Sequence, residues 1–96
     1  MAIPEAETDQ AVARRCLAVH QCVHPAMSQR AFAAWLGVTA PRWNNVVTGM
    51  PLSRDLAMTL VRKIPTITLD YLYRGRYAGM HPELIQRLSE AEARTA

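Results

Sequence analysis

Three side chains that can bind metal ions follow one another along the first predicted helix. Cys16, His20 and His24 stand four residues apart, which would put them on one side of that helix. They would span two turns, about 12 Å, so they cannot all reach a single ion. The spacing favours a core cysteine beside exposed histidines, although two of the three residues could complete a site together with another chain.

The remaining chemistry-bearing residues do not form a recognisable catalytic set. Cys16 and Cys22 are six residues apart on the same predicted helix, a rise of about 9 Å that prevents them from bridging each other. We expect free thiols in a reducing compartment. The sequence also lacks a nucleophile elbow, a phosphate-binding glycine loop, paired carboxylates and a four-cysteine zinc cluster. We therefore expect no enzyme activity, no cofactor and no resident metal.

Basic residues are concentrated in the middle of the chain. The 96 residues carry a formal charge of +3, but residues 10–82 hold nine arginines and lysines against two aspartates, a net charge of +7. Such a basic body suits a polyanionic partner and, equally, a solubilising surface. The nine basic residues are Arg14, Arg15, Arg30, Arg42, Arg54, Arg62, Lys63, Arg74 and Arg76.

Apolar residues recur at helical spacing in six segments, and no alternating strand pattern is present. The sequence therefore predicts an all-α domain of five or six helices, with Arg14, Arg15 and His24 off the apolar face of the first. Half of the residues are hydrophobic, which is enough for one core. The predicted helices run from Asp9 to the residue before Pro25, between Ser28 and Gly37, between Thr39 and Gly49, from Ser53 to Pro65, over 67–74 and from Pro82 onward.

The chain divides into three parts on this interpretation. Residues 1–8 have no usable period and are expected to be a flexible lead-in. Residues 9–75 form the main domain, and residues 76–96 a helical extension. No apolar run approaches the ~20 residues of a membrane span, and no secretion leader is visible. We expect a cytoplasmic protein without a membrane partner.

The segment from Ser28 to Gly49 has the features of two short helices joined by a tight turn. Ser28 and Thr39 are good N-caps, and Gly37 and Gly49 stand where each helix should end. The apolar sides are supplied by Phe32, Ala33 and Leu36 in the first helix, and by Trp43 with Val46 or Val47 in the second. Helices joined in this way can insert one member into a DNA groove.

This segment resembles the helix-turn-helix of the phage repressor and Cro family, also called XRE-like. The family signature of Gln, Ala, Leu-Gly-Val-Ser/Thr and a closing Gly is matched by Gln29, Ala33, Leu36-Gly37-Val38-Thr39 and Gly49. The resemblance continues through Leu52-Ser53 and Ile67–Gly75 and covers about half of the chain. It implies a compact lambda-repressor-like domain that binds duplex DNA through a recognition helix, Thr39–Thr48. It further implies a homodimeric transcriptional regulator in the nucleoid of a bacterium or phage-infected cell.

The resemblance assigns five residues to the base-facing edge of that helix: Thr39, Ala40, Pro41, Arg42 and Asn45. Asn45 can make two hydrogen bonds to adenine, and Arg42 can bind guanine or a phosphate. The side chains of Ala40 and Pro41 cannot form hydrogen bonds. Some of the sequence preference would therefore come from DNA shape.

A second set is expected to contact phosphates: Gln29, Arg30, Asn44, Ser53 and Arg54. Gln29 matches the family's phosphate-binding glutamine at the start of a helix, where exposed amides also attract anions. Arg54 follows the cap residue Ser53, and its charge there opposes the helix dipole. A nearby phosphate explains that arginine better than helix stability does.

Several apolar residues bear on whether the protein binds a protein partner. Trp43 holds an inward family position and is expected in the core. Trp35 holds an outward position, where it would either shield the core or join an interface. Leu84, Ile85 and Leu88 lie on one side of the last helix, which could form a dimer interface or dock on its own domain. Together with Ala40 and Pro41, Trp35 supports the alternative of an adaptor or antitoxin-like protein-interaction module with weak base readout.

Overall fold

Six helices make up the fold in the computed structural model, which describes residues 2–95. They are α1 (Asp9–Val23), α2 (Gln29–Leu36), α3 (Ala40–Val47), α4 (Arg54–Lys63), α5 (Leu69–Arg74) and α6 (Pro82–Thr95). A single turn of 3-10 helix at Glu5–Glu7 precedes them, inside the segment expected to be a lead-in. No strand occurs within residues 2–95, which confirms the predicted all-α class. Met1 and Ala96, the outermost residues of the two predicted end segments, lie outside the described residues.

Hydroxyl side chains begin five of these helices. Ser28 Oγ accepts the Ala31 amide at 3.0 Å, and Thr39 Oγ1 and Ser53 Oγ accept amides in the same way. Each such cap contributes about 1 kcal/mol by satisfying an amide that the helix leaves unpaired. These three predicted caps are confirmed, and Thr8 and Thr68 cap α1 and α5 likewise. Because Thr68 is the cap, α5 begins at Leu69 and not at Ile67 as predicted.

The core is built around α1, which contacts α3, α5 and α6. Val12, Cys16 and Val19, which recur at helical spacing along α1, are buried. Phe32, Leu36, Trp43, Leu56, Leu60, Tyr71 and Leu72 surround them from the other helices. Among residues 2–95, no helix is long and apolar enough to cross a membrane.

Helix α6 packs against α1 and is part of the same core. Leu88 and Ala91 are fully buried, and Leu84 and Ile85 pack against the core while remaining partly exposed. Of the two roles left open for Leu88, a dimer interface or docking on its own domain, its burial favours docking, because the side chain is already covered by this chain. Ala91 extends the same buried side toward the end of the helix.

Arg15 and His20 were expected on the surface of α1, and both are buried. Arg15 is 4% exposed, and its Nε donates to the Leu72 carbonyl oxygen at 3.1 Å. Its guanidinium also donates to the Ala6 carbonyl. These backbone oxygens supply the acceptors that a buried guanidinium requires. The exposed basic charge of the middle segment is accordingly smaller by one than the sequence suggests.

The turn after α5 leaves space for the Arg15 side chain. Gly75 has a φ of 75°, and a Cβ built there would lie 2.9 Å from Arg15 Nη1. Gly79 has a similar φ of 80°, but a Cβ there would meet nothing within 4 Å. The two glycines therefore share the left-handed backbone and differ in their neighbours.

We expect Gly75→Ala to lower the free energy of unfolding more than Gly79→Ala does. Both substitutions introduce left-handed strain of about 1–2 kcal/mol. Only the first also displaces the buried Arg15, at a further cost of about 1–3 kcal/mol for overpacking. Urea unfolding of the two variants measures the difference, and equal losses would show that Arg15 does not constrain this turn.

Candidate functional site

Helices α2 and α3 form a packed pair joined by the three residues Gly37, Val38 and Thr39. Gly37 ends α2 in the left-handed conformation at φ 82°, as the sequence predicted. The Phe32 ring lies 5.1 Å from the Trp43 ring across the pair. The burial of Trp43 and Val46 leaves the rest of the α3 surface facing outward.

One hydrogen bond links the start of α2 to the middle of α3. Trp43 is fully buried, and its Nε1 donates to Gln29 Oε1 at 2.6 Å. An indole N–H can only donate, so the carboxamide oxygen of Gln29 must face it. The two amide hydrogens of Gln29 therefore remain available as donors at the exposed start of α2.

A second hydrogen bond links α3 to the start of α4. Arg42 Nη2 donates to Ser53 Oγ at 3.0 Å, and the same oxygen caps α4 by accepting the Leu56 amide. The Arg42 guanidinium is thus held beside the first turn of α4, where Arg54 follows. Arg42 was expected to face the bases, but its hydrogen bond to Ser53 places it beside residues expected to contact phosphates.

The remaining predicted residues lie on open surface. Pro41, Asn44 and Asn45 are exposed, and Ala40 is half-exposed. The amides of Asn44 and Asn45 make no side-chain hydrogen bond to another described residue, whereas the Thr39 hydroxyl is occupied by the Arg42 amide. The exposed side chain of Arg30 is likewise unpaired within the described part of the chain.

The electrostatic setting of this surface follows directly from the sequence. No aspartate or glutamate occurs between Asp9 and Asp55, so the charged side chains of α2, α3 and the first residue of α4 are all positive. The first turns of these helices add unpaired backbone amides and the positive ends of the helix dipoles. This combination can hold phosphate oxygens or other anions.

Trp35 packs against the core, and Lys63 lies over its ring. Its ring contacts Phe32 at 5.5 Å and His24 at 4.5 Å between centroids. Lys63 Nζ lies 5.1 Å from the centre of the ring and donates to the Trp35 carbonyl at 2.5 Å. These contacts favour the shielding role over the interface role for this side chain.

The cysteine and histidines of α1 do not assemble a metal site. The His20 ring stacks on Phe32 at 4.4 Å, and its Nε2 hydrogen-bonds to the Met27 carbonyl oxygen at 2.8 Å. His24 is turned to Trp35, and Cys16 is in the core. The part of the chain that the structure describes holds no cluster of three or more metal-binding side chains.

Comparison with models of known protein families, with curated proteins and with solved structures finds no match for this chain. The established description is therefore that of a six-helix, all-α domain with an acid-free basic surface on α2 and α3.

Gln29→Ala is expected to destabilise the fold although Gln29 is exposed. The substitution would leave the buried Trp43 N–H without an acceptor, which costs about 1–3 kcal/mol. The neighbouring Arg30→Ala removes an exposed side chain without such a bond and should change the free energy of unfolding by less than about 0.5 kcal/mol. Urea unfolding monitored by Trp fluorescence compares them, and similar stabilities would argue against the Trp43 bond.

The two cysteines should differ in reactivity. Burial raises the pKa of Cys16 to about 12, and the nearby charge of Arg15 only partly offsets the rise. Since the thiolate is the nucleophile, Cys16 should resist a disulfide reagent at mildly alkaline pH, while the half-buried Cys22 reacts. We expect one fast thiol per native chain and two after unfolding. Cys22→Ser should abolish the fast phase, and two equally fast native thiols would contradict the burial of Cys16.

Proposed function

We propose that the protein is a sequence-specific DNA-binding transcriptional regulator that inserts α3 into the major groove. The observation that carries this proposal is the linkage of α3 to the starts of α2 and α4 through Trp43–Gln29 and Arg42–Ser53. The linkage leaves uncovered amide and guanidinium donors on a surface whose α2 and α3 residues include no acid, with Asp55 following Arg54 in α4. The repressor-like pattern of Gln29 to Gly49 supports α2 and α3 as a helix-turn-helix.

In this proposal, Asn45 reads a base and the flanking positive groups hold the DNA backbone. The Asn45 amide is exposed and unpaired, which suits a two-bond contact with adenine. Gln29 offers two amide hydrogens to a phosphate, and Arg54 offers an exposed guanidinium. We assign Arg42 to a phosphate as well, because its bond to Ser53 directs it toward α4. Few base pairs are then read by direct hydrogen bonds, and DNA shape contributes the remaining sequence preference.

We further propose that the protein acts as a homodimer on an inverted repeat, within the nucleoid of a bacterium or phage-infected cell. With Leu88 buried, the apolar groups of α6 that remain for such a contact are the partly exposed Leu84 and Ile85. Selection of bound sites from a random duplex pool tests this directly. Two half-sites at a fixed spacing would support the dimer, and single half-sites would contradict it.

A protein-interaction module remains the second candidate. It is favoured by Ala40 and Pro41 in the first turn of α3, because neither side chain can donate a hydrogen bond to a base. Binding to random duplex DNA at two salt concentrations separates the candidates. DNA binding through phosphates weakens steeply with salt, and no binding at low salt would leave the interaction module.

Two substitutions should separate base reading from phosphate binding. Asn45→Ala is expected to weaken binding to the selected site by about 1–3 kcal/mol and to leave random duplex unaffected. Arg54→Ala should weaken both and reduce the salt slope by about one. Arg62→Ala, at the other end of α4, is the matched control and should change neither. Equal losses on both DNAs for Asn45→Ala would show that Asn45 reads no base.

A further inference from the structure

A groove lies at the end of the molecule formed by the end of α1, the residues after α4 and the start of α6. Its volume is about 360 Å³, within the range of small-molecule sites. None of its lining residues belongs to α2 or α3. The groove is therefore separate from the basic surface on α2 and α3.

Part of the lining of this groove is apolar. Val23, Ile64 and Leu84 contribute aliphatic side chains, and the half-buried Cys22 adds a thiol. Ile64 is part of the buried core, and the other three are partly buried against it. An aliphatic or aromatic group of a ligand would find a continuous apolar contact here.

One unpaired cation lines the same groove. Arg87 forms neither a hydrogen bond nor an ion pair with any described residue, although Glu83 and Glu90 flank it along α6. Its guanidinium lies near Cys22: burial raises the pKa of that thiol, and the positive charge of Arg87 partly offsets the rise. A guanidinium fork beside an apolar surface matches a carboxylate that carries an apolar tail.

The backbone that forms one wall is strained. Thr66 has a φ of 66°, a conformation that β-branched residues rarely adopt. Its hydroxyl accepts the His81 amide at 3.3 Å, which ties the turn after α4 to the start of α6. The His81 Nδ1 accepts the Glu83 amide, so the neutral ring carries its proton on Nε2 and adds a donor to the lining. Strained residues of this kind cluster at ligand sites.

We propose that this groove binds a small amphipathic monocarboxylate, with its tail on Val23, Ile64 and Leu84 and its carboxylate on Arg87. Glu83, the acidic residue in the lining, restricts the ligand to a single negative charge by repelling a second. This proposal does not depend on DNA binding.

The test is a titration of the isotope-labelled protein with octanoate, followed through the backbone amide signals. Saturable shifts at Val23, Leu84 and Arg87 are expected, and 1-octanol, which has the same tail without the charge, should bind about tenfold more weakly. Absence of saturable shifts at millimolar octanoate, shifts confined to α2 and α3, or equal binding of octanol would each overturn the proposal.

Three variants sharpen the result. Arg87→Gln should weaken octanoate binding about tenfold through loss of the charge-assisted bonds. Glu83→Gln should strengthen it, since a repulsive charge is removed. Arg62→Gln, an exposed arginine outside the groove, is the matched control and should bind normally. Thermal unfolding confirms that each variant is folded, and normal binding by a folded Arg87→Gln would refute the assigned role. The titration contains no DNA, so failure here leaves the proposed function untouched.

Discussion

The buried indole of Trp43 is the group on which the arrangement of α2 and α3 depends. A fully buried indole needs an acceptor for its N–H, and Gln29 provides that acceptor from the first residue of α2. The bond and the contact with Phe32 hold α3 at a defined position along α2. Once Trp43 faces inward, helical geometry turns Asn44 and Asn45 outward and brings Val46 back to the core. The burial of Trp43 thus determines which residues of α3 are exposed.

Two sets of polar contacts inside this domain join separate parts of the chain. Arg15 donates to carbonyl oxygens in α5 and in the 3-10 turn. These hydrogen bonds join both segments to α1. The hydroxyls of Tyr71 and Tyr77 both donate to Glu92 Oε2, and this joins α5 and the loop after it to α6. Burial and the Glu92 carboxylate together raise the pKa of Tyr71. These contacts explain why α6 belongs to the core of a small domain.

Helix α4 separates two surfaces of different chemistry. Its first turn meets Arg42 and carries Arg54 and Asp55, beside the acid-free α2 and α3, while the residues after its last turn line the apolar groove. The basic surface offers several separate donors, which suits a repeating polyanion. The groove offers one guanidinium beside aliphatic side chains, which suits a small ligand with a single charge. The two surfaces therefore differ in charge density and in apolar area.

The sequence by itself determined the features that depend on residues a few positions apart. The caps Ser28, Thr39 and Ser53, the end of α2 at Gly37 and the inward position of Trp43 all follow from helical periodicity and local hydrogen bonds. Only the tertiary structure decided where long side chains find distant partners. Arg15 bonds to a carbonyl 57 residues away, and Arg42 bonds to Ser53 in the next helix. Leu88 is covered by its own domain. A local pattern indicates which side of a helix is apolar. It does not indicate which hydrogen-bond acceptor or which apolar surface lies against that side, because those groups come from distant parts of the chain.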